Sequence, residues 1–166
     1  MNKNTTKLAD IILYPDSIIP YYSDGSWSLY NLISHVLDYT GPADIKISSF
    51  SISEPALRTF LEEFENNRIN SLSLLFDISI PQRKFDLMLF AHTVFSEIRL
   101  CNNHSKAILI KSKSKQACII GSQNLTPNPR LECGAIFTDD PIYSFYNTMF
   151  DNYFVEAIPF NPYDKK

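Results

Sequence analysis

The strongest constraint on this chain is that its hydrophobic residues change period again and again along the sequence. From Ser26 onward, Leu29, Leu32, Ile33, Val36 and Leu37 recur at the spacing of one helix face, and Gly41-Pro42 ends the run. Ile45 to Ile52 then alternates apolar with polar residues, as a strand does. Ser53 can cap a second helix with Pro55 in its first turn, and Leu57, Phe60, Leu61 and Phe64 form its stripe before Asn66-Asn67 stops it. Leu72 to Ile80 reads as a strand, Phe85 to Phe95 as a helix, and Ile98 to Cys101 as a short strand. His104 to Ile110 and Ala117 to Ser122 read as two strands joined by the loop Lys111-Ser112-Lys113-Ser114-Lys115, and Leu131 to Phe137 as another. Asp139 or Asp140 then caps a last helix, begun by Pro141, with Ile142, Phe145, Tyr146, Met149, Phe150 and Tyr153 as its stripe. Strands alternating with helices predict an α/β layered fold, a mixed and partly parallel sheet flanked by helices.

With 166 residues the chain suits one domain, 1–166. Residues 1–25, punctuated by Pro15, Pro20 and Ser23-Asp24-Gly25, read as short extended pieces ahead of a core at about 45–155. The helix from Phe85 is apolar on nearly every side, which predicts that it is buried or covered by another chain. Cys101, Cys118 and Cys133 show no C-x-x-C spacing, so neither a zinc site nor a disulfide framework is expected. The start of the chain lacks the continuous apolar region of a signal peptide, and no run is long enough to span a bilayer. A cytoplasmic protein with no membrane insertion is the expectation.

His104 and Lys106 are two apart on a predicted strand, so their side chains share a face. Ser122 and Asn124, in Gly121-Ser122-Gln123-Asn124, follow the next strand with the same offset. If the strands are neighbours, an imidazole, an ammonium, a hydroxyl and a carboxamide converge. Glu132 on the following strand has two readings of equal weight: it orients His104 and raises its basicity, or it pairs with Arg130. This set suits a phosphodiester. Imidazole can attack phosphorus to form a phosphohistidine, while Lys, Ser and Asn donate to the non-bridging oxygens. Those donors make a metal or cofactor unnecessary.

His104-Ser105-Lys106, then Gly121-Ser122-Gln123-Asn124-Leu125-Thr126, then Asn128-Pro129-Arg130-Leu131-Glu132 resemble the phospholipase D superfamily, whose signature is H-x-K-x4-D followed by G-S-x-N. The likeness runs from about Ile45 to the last helix, although only residues 104–132 carry specific motif matches. One letter departs: the position of the motif Asp is Lys111. Relatives such as the tyrosyl-DNA phosphodiesterases also lack that Asp while remaining active, which implies a structural more than a chemical role. The resemblance further implies an active site built from two H-x-K motifs, one His attacking and the other protonating the leaving group. This chain has one such motif, so a homodimer with one shared site is expected.

The reading that results is a metal-independent phosphodiesterase, a nuclease acting on DNA or RNA. Its roles are His104 for attack and protonation, Lys106 and Asn124 for holding the phosphate, Ser122 for a hydrogen bond near the intermediate, and Glu132 for orienting His104. A non-catalytic module that binds nucleic acid or a partner is the second reading, supported by Lys111. A phospholipid-cleaving enzyme is the third, and it would need an acyl-chain groove. Elsewhere, His35 is expected to be solvated, His92 packed or at an interface, and Cys118 a small core hydrophobe. Lys111, Lys113 and Lys115 are expected at the far end of the motif strand. The net charge is −3, yet between Ile98 and Leu131 there are six basic residues and no Asp or Glu. An acidic body with one local anion site fits that distribution.

Overall fold

The structure, a computed structural model, describes residues 5–95, 97–127 and 129–163. Among them the strands are β1 (Ile18–Ser23), β2 (Ala43–Ser49), β3 (Ile69–Asp77), β4 (Glu97–Cys101), β5 (Lys106–Lys111), β6 (Gln116–Gly121), β7 (Glu132–Phe137) and β8 (Ile158–Pro159). The helices are α1 (Leu29–Thr40), α2 (Glu54–Glu65), the single turn α3 (Ile80–Arg83), α4 (Phe85–Val94) and α5 (Asp140–Glu156). The strands form one mixed sheet in the order β1-β7-β6-β5-β2-β3-β4-β8. β2, β3 and β4 run parallel, while β5, β6, β7 and β1 continue antiparallel from β2. These directions bring the ends of β1, β2, β3, β4 and β6 and the starts of β5 and β7 to one edge of the sheet. The motif residues gather there.

Helices cover both faces. α1 and α2 begin as expected, with Ser28 and Ser53 capping them through Asn31 and Ala56 backbone N–H groups. Gly41 ends α1 at φ 72°, a conformation that costs glycine little. Leu32, Ile33, Val36 and Leu37 of α1 and Leu57 and Phe60 of α2 pack with Ile45, Ile47, Leu74, Ile108, Ile110 and Ile119 in the main core. Burying each such side chain is worth about 1.5–3 kcal/mol. The other face carries α5, whose Tyr143 and Phe150 meet Leu75, Leu109 and Cys118 in a second cluster. Burial, with the field of Asp139, pushes the Cys118 thiol up to about 12, which suits an inert core residue.

Several expectations shift. The strand expected over Ile45–Ile52 stops at Ser49, and Ile52 keeps only an isolated bridge to Leu125. The strand expected over Leu72–Ile80 starts at Ile69 and ends at Asp77, because Asp77 accepts the Ser79 N–H and turns the chain into α3. The segment ahead of residue 25 supplies the edge strand β1, and Ile11, Leu13 and Tyr21 are buried. α4 is not enclosed on all sides: only Met88 and Ala91 are buried, whereas Phe85 and Leu89 are 49% and 38% exposed. It packs against α2 and α3 and leaves these two side chains exposed. His35 is tied down, one ring nitrogen lying 2.7 Å from the Ile11 carbonyl oxygen. His92 packs edge-on against Phe160, in keeping with the packed reading. The three thiols are free, and no helix among the described residues is long and apolar enough to cross a membrane.

Candidate active site

The strand that holds the H-x-K motif begins at Lys106, two residues later than expected, and His104 sits in the approach to it. Side chains satisfy the backbone there in place of a strand partner. The Asn103 N–H donates to Asp77 Oδ2 at 3.1 Å, and Asn103 Oδ1 accepts the Ser105 N–H at 2.9 Å and its hydroxyl at 2.6 Å. Asn103 Nδ2 donates to Ser48 Oγ and to the Leu75 carbonyl, both at 2.9 Å. Asn103 is buried, so this network clamps the loop to the ends of β2 and β3 and presents His104 outward.

His104 is exposed and packs against Phe50 at 4.9 Å between ring centroids. Lys106 curls back toward it, its Nζ 3.2 Å from His104 Nδ1 and donating to the His104 carbonyl at 2.6 Å. Partial desolvation lowers the Lys106 pKa from its ordinary value, and the charge of Glu132 opposes that shift. Lys106 shares its sheet face with Ile108 and Ile110, which belong to the main core. Lys111 falls on the opposite face, against the Tyr143 ring of α5, with its Nζ donating to Gln116. Five residues of strand separate it from Lys106 by about 17 Å. A side chain at position 111 therefore reaches α5 and not the motif histidine, so the missing Asp removes nothing from the vicinity of His104. The rest of the lysine loop is at the same far end, and Lys115 Nζ donates to the Tyr39 carbonyl.

The second motif closes over the start of β5. Gly121 must be glycine, because a Cβ there would stand 2.8 Å from the Cys133 carbonyl oxygen and 2.9 Å from the Tyr21 hydroxyl. Burial, with the Cys133 and Glu132 charges, pushes that phenol well above its usual range. The Ser122 N–H donates to the Cys133 carbonyl at 2.9 Å, and Ser122 Oγ accepts the Cys133 N–H at 3.0 Å. From there the chain crosses to the segment after β2. The Leu125 N–H donates to the Ser51 carbonyl at 3.3 Å, and the Ser53 hydroxyl to the Leu125 carbonyl at 2.9 Å. This carries Asn124 across β5, the strand between β6 and β2. Asn124 Oδ1 and Gln123 Oε1 are both buried with no hydrogen-bond partner among the described residues.

Glu132 opens β7, and its carboxylate accepts the Ser122 hydroxyl. This tie joins it to the G-S-x-N segment, a partner that neither sequence reading had named. Its charge also favours the protonated form of Lys106. All five expected residues thus lie at one edge of the sheet. Asn128 lies outside the described residues. The sequence reading missed Asn103, Asp77 and Phe50, and the signal available was weak: two polar residues and an aromatic at strand ends. Among the described residues no three His, Cys, Asp or Glu side chains are grouped as a metal site requires.

Solved structures share this architecture. The chain superposes on Nuc, a phospholipase D family member from Salmonella typhimurium, with a TM-score of 0.66 and 14% identity, covering 87% of this chain and 98% of that one. The fold is phospholipase D-like. Phosphatidylserine synthase from Haemophilus influenzae Rd KW20 matches at a TM-score of 0.59 and 12% identity, over 84% of this chain and 38% of that one. TrmBL2, an archaeal chromatin protein with a novel mode of DNA binding, matches at 0.55 and 9%, over 86% of this chain and 54% of that one. No protein-family model and no curated protein matches the sequence. At these identities the phospholipase D-like likeness is one of fold.

Proposed function

We propose that this phospholipase D-like domain is a phosphodiesterase that cleaves DNA or RNA through a phosphohistidine, in a homodimer whose two copies share one active site. The observation that carries the reading is the exposed His104 beside the Lys106 ammonium, at the sheet edge crossed by the G-S-x-N loop. In the first step a His104 nitrogen bonds to phosphorus as the phosphorus–oxygen bond to the leaving group breaks. The leaving oxygen takes a proton from His104 of the partner subunit. Water then attacks phosphorus, the nitrogen–phosphorus bond breaks, and the partner subunit's His104 accepts the water proton. Lys106 and Asn124 donate to the non-bridging oxygens, Ser122 bonds near the intermediate, and Glu132 orients the cluster.

The histidine inventory supports the dimer. The chain has three histidines, and His35 is held at Ile11 while His92 packs on Phe160. Both are engaged elsewhere, so a second copy of the chain is the source proposed for the second imidazole. The outward apolar side of α4 is a candidate for that contact. Sedimentation as a dimer at micromolar concentration is expected, and a strict monomer there refutes the shared site.

The functional test is hydrolysis of bis(p-nitrophenyl) phosphate and of labelled single- and double-stranded DNA and RNA in EDTA, by wild type and His104→Ala. Turnover that survives EDTA and disappears in the variant is expected, and abolition by EDTA refutes the mechanism. A second reading, a nucleic-acid-binding module without catalysis, draws support from the likeness to the DNA-binding TrmBL2. It prevails if wild type and variant are equally inert yet bind oligonucleotides.

A further inference from the structure

The H-x-K pair has a cationic neighbour that belongs to neither motif. Arg83, the last residue of α3, places its guanidinium carbon 4.8 Å from the centroid of the Phe50 ring. The same ring packs on His104 at 4.9 Å and lies 5.8 Å from Lys106 Nζ. One phenyl ring is therefore shared by two cations and the motif histidine.

We propose that Arg83 forms a second phosphate subsite beside His104, so that the substrate is a polynucleotide whose neighbouring phosphate rests on Arg83 while the reacting one faces His104 and Lys106. The proposal deepens the phosphodiesterase reading and rests on it. Arg83 is exposed, and its Nε and Nη2 donate to the Ser79 carbonyl and hydroxyl, which aims the guanidinium without enclosing it. A planar guanidinium offers five donors, enough to keep these bonds and add a phosphate.

Nearby carboxylates are largely engaged. Asp77 accepts from Ser79 and from the Asn103 N–H, and Glu54 is held by Arg58 through two bonds of 2.9 and 2.6 Å. Lys84, whose ammonium is fixed on the Ile52 carbonyl at 2.6 Å, adds positive charge next to Arg83. An open depression of about 650 Å³ continues from Arg83 past Lys84 and Arg58, with Asp86 as its other acidic member. A second phosphate in the ligand separates a polynucleotide from a simple diester or a phospholipid, which presents a single diester at the reacting position.

The test compares wild type, Arg83→Gln and Arg83→Lys in the full chain. Hydrolysis of bis(p-nitrophenyl) phosphate, which has one phosphate, is measured beside hydrolysis of an oligothymidylate. Binding of the oligothymidylate and of inorganic polyphosphate is measured by anisotropy and competition across salt concentrations. The Gln variant is expected to lose about tenfold more kcat/KM on the oligonucleotide than on the small diester, mostly in KM. Its salt slope for binding should fall by about 0.7, with the Lys variant in between. Equal losses on both substrates would mark a structural role and overturn the subsite, as would unchanged oligonucleotide affinity and slope. Arg83-dependent binding of polyphosphate alone would overturn the polynucleotide assignment. If wild type hydrolyses nothing, the phosphodiesterase reading has failed while the binding arm still decides the subsite.

Discussion

Asn103→Ala should separate the support of the site from its chemistry. The side chain makes four hydrogen bonds: to Ser48 Oγ, to the Leu75 carbonyl, and from the N–H and hydroxyl of Ser105. Two of these satisfy backbone groups, so truncation strands a carbonyl and an N–H at the ends of β3 and β5. The Ser48 and Ser105 hydroxyls, 2.5 Å apart, can still pair with each other. The Asn103 backbone bond to Asp77 also survives, which caps the loss. At 0.5–1.5 kcal/mol for each lost bond, the expected destabilisation is about 3 kcal/mol. Urea unfolding should show a lower midpoint with an unchanged slope. Below the transition, with the loop before His104 loosened, kcat on bis(p-nitrophenyl) phosphate should fall about 10- to 100-fold, KM moving little. A loss of stability under about 1 kcal/mol together with an unaltered kcat would refute the clamp.

Gly121→Ala should cost about 2–3 kcal/mol, since the added carbon meets a backbone carbonyl at 2.8 Å that has nowhere to move; thermal unfolding checks it. Lys111→Asp, which restores the motif letter, should leave kcat within about twofold because the site is about 17 Å away. It should lower stability by about 1 kcal/mol, since the new carboxylate pairs across the strands with Asp44; a larger gain in kcat would contradict the structural reading of this position. Desolvation, the largest single influence on Asp77, pushes its carboxyl up, but hydrogen bonds from Ser79 and Asn103 together with the field of Arg83 hold it below its usual value. Its stabilisation is therefore complete above the ordinary carboxylate value of about 3.9 and is lost as pH falls through that value toward the folded one. Asp77→Asn should be less stable than wild type at neutral pH, with the gap closing under acid; a gap that stays constant down to pH ~2 would refute the assignment.

The alternation of periods was enough to determine the fold class and the longer elements from Leu29 to the last helix, although it marked neither the turn α3 nor the edge strand β8. Leu29 to Leu37 and Leu57 to Phe64 state their helical faces locally, and Ser28 and Ser53 state where those helices begin. His104 and Lys106 still meet, but not through strand alternation: His104 precedes β5 and Lys106 curls back to it, while Ser122 and Asn124 lie beyond the end of β6. Other features could not be read locally. The start of β5 moved to Lys106 because Asn103 bonds to Asp77, Ser48 and Leu75, residues 26, 55 and 28 positions away in the chain. The remoteness of Lys111 from His104 rests on which sheet face and which end of β5 each occupies, the lysine meeting α5 and the histidine Phe50. Arg83 meets the motif pair across Phe50, 33 residues earlier in the sequence. Periodicity and capping are paid for within one turn or one strand, so they are written in neighbouring residues. The contacts that build the site close loops of tens of residues, and only the assembled sheet decides which of them form.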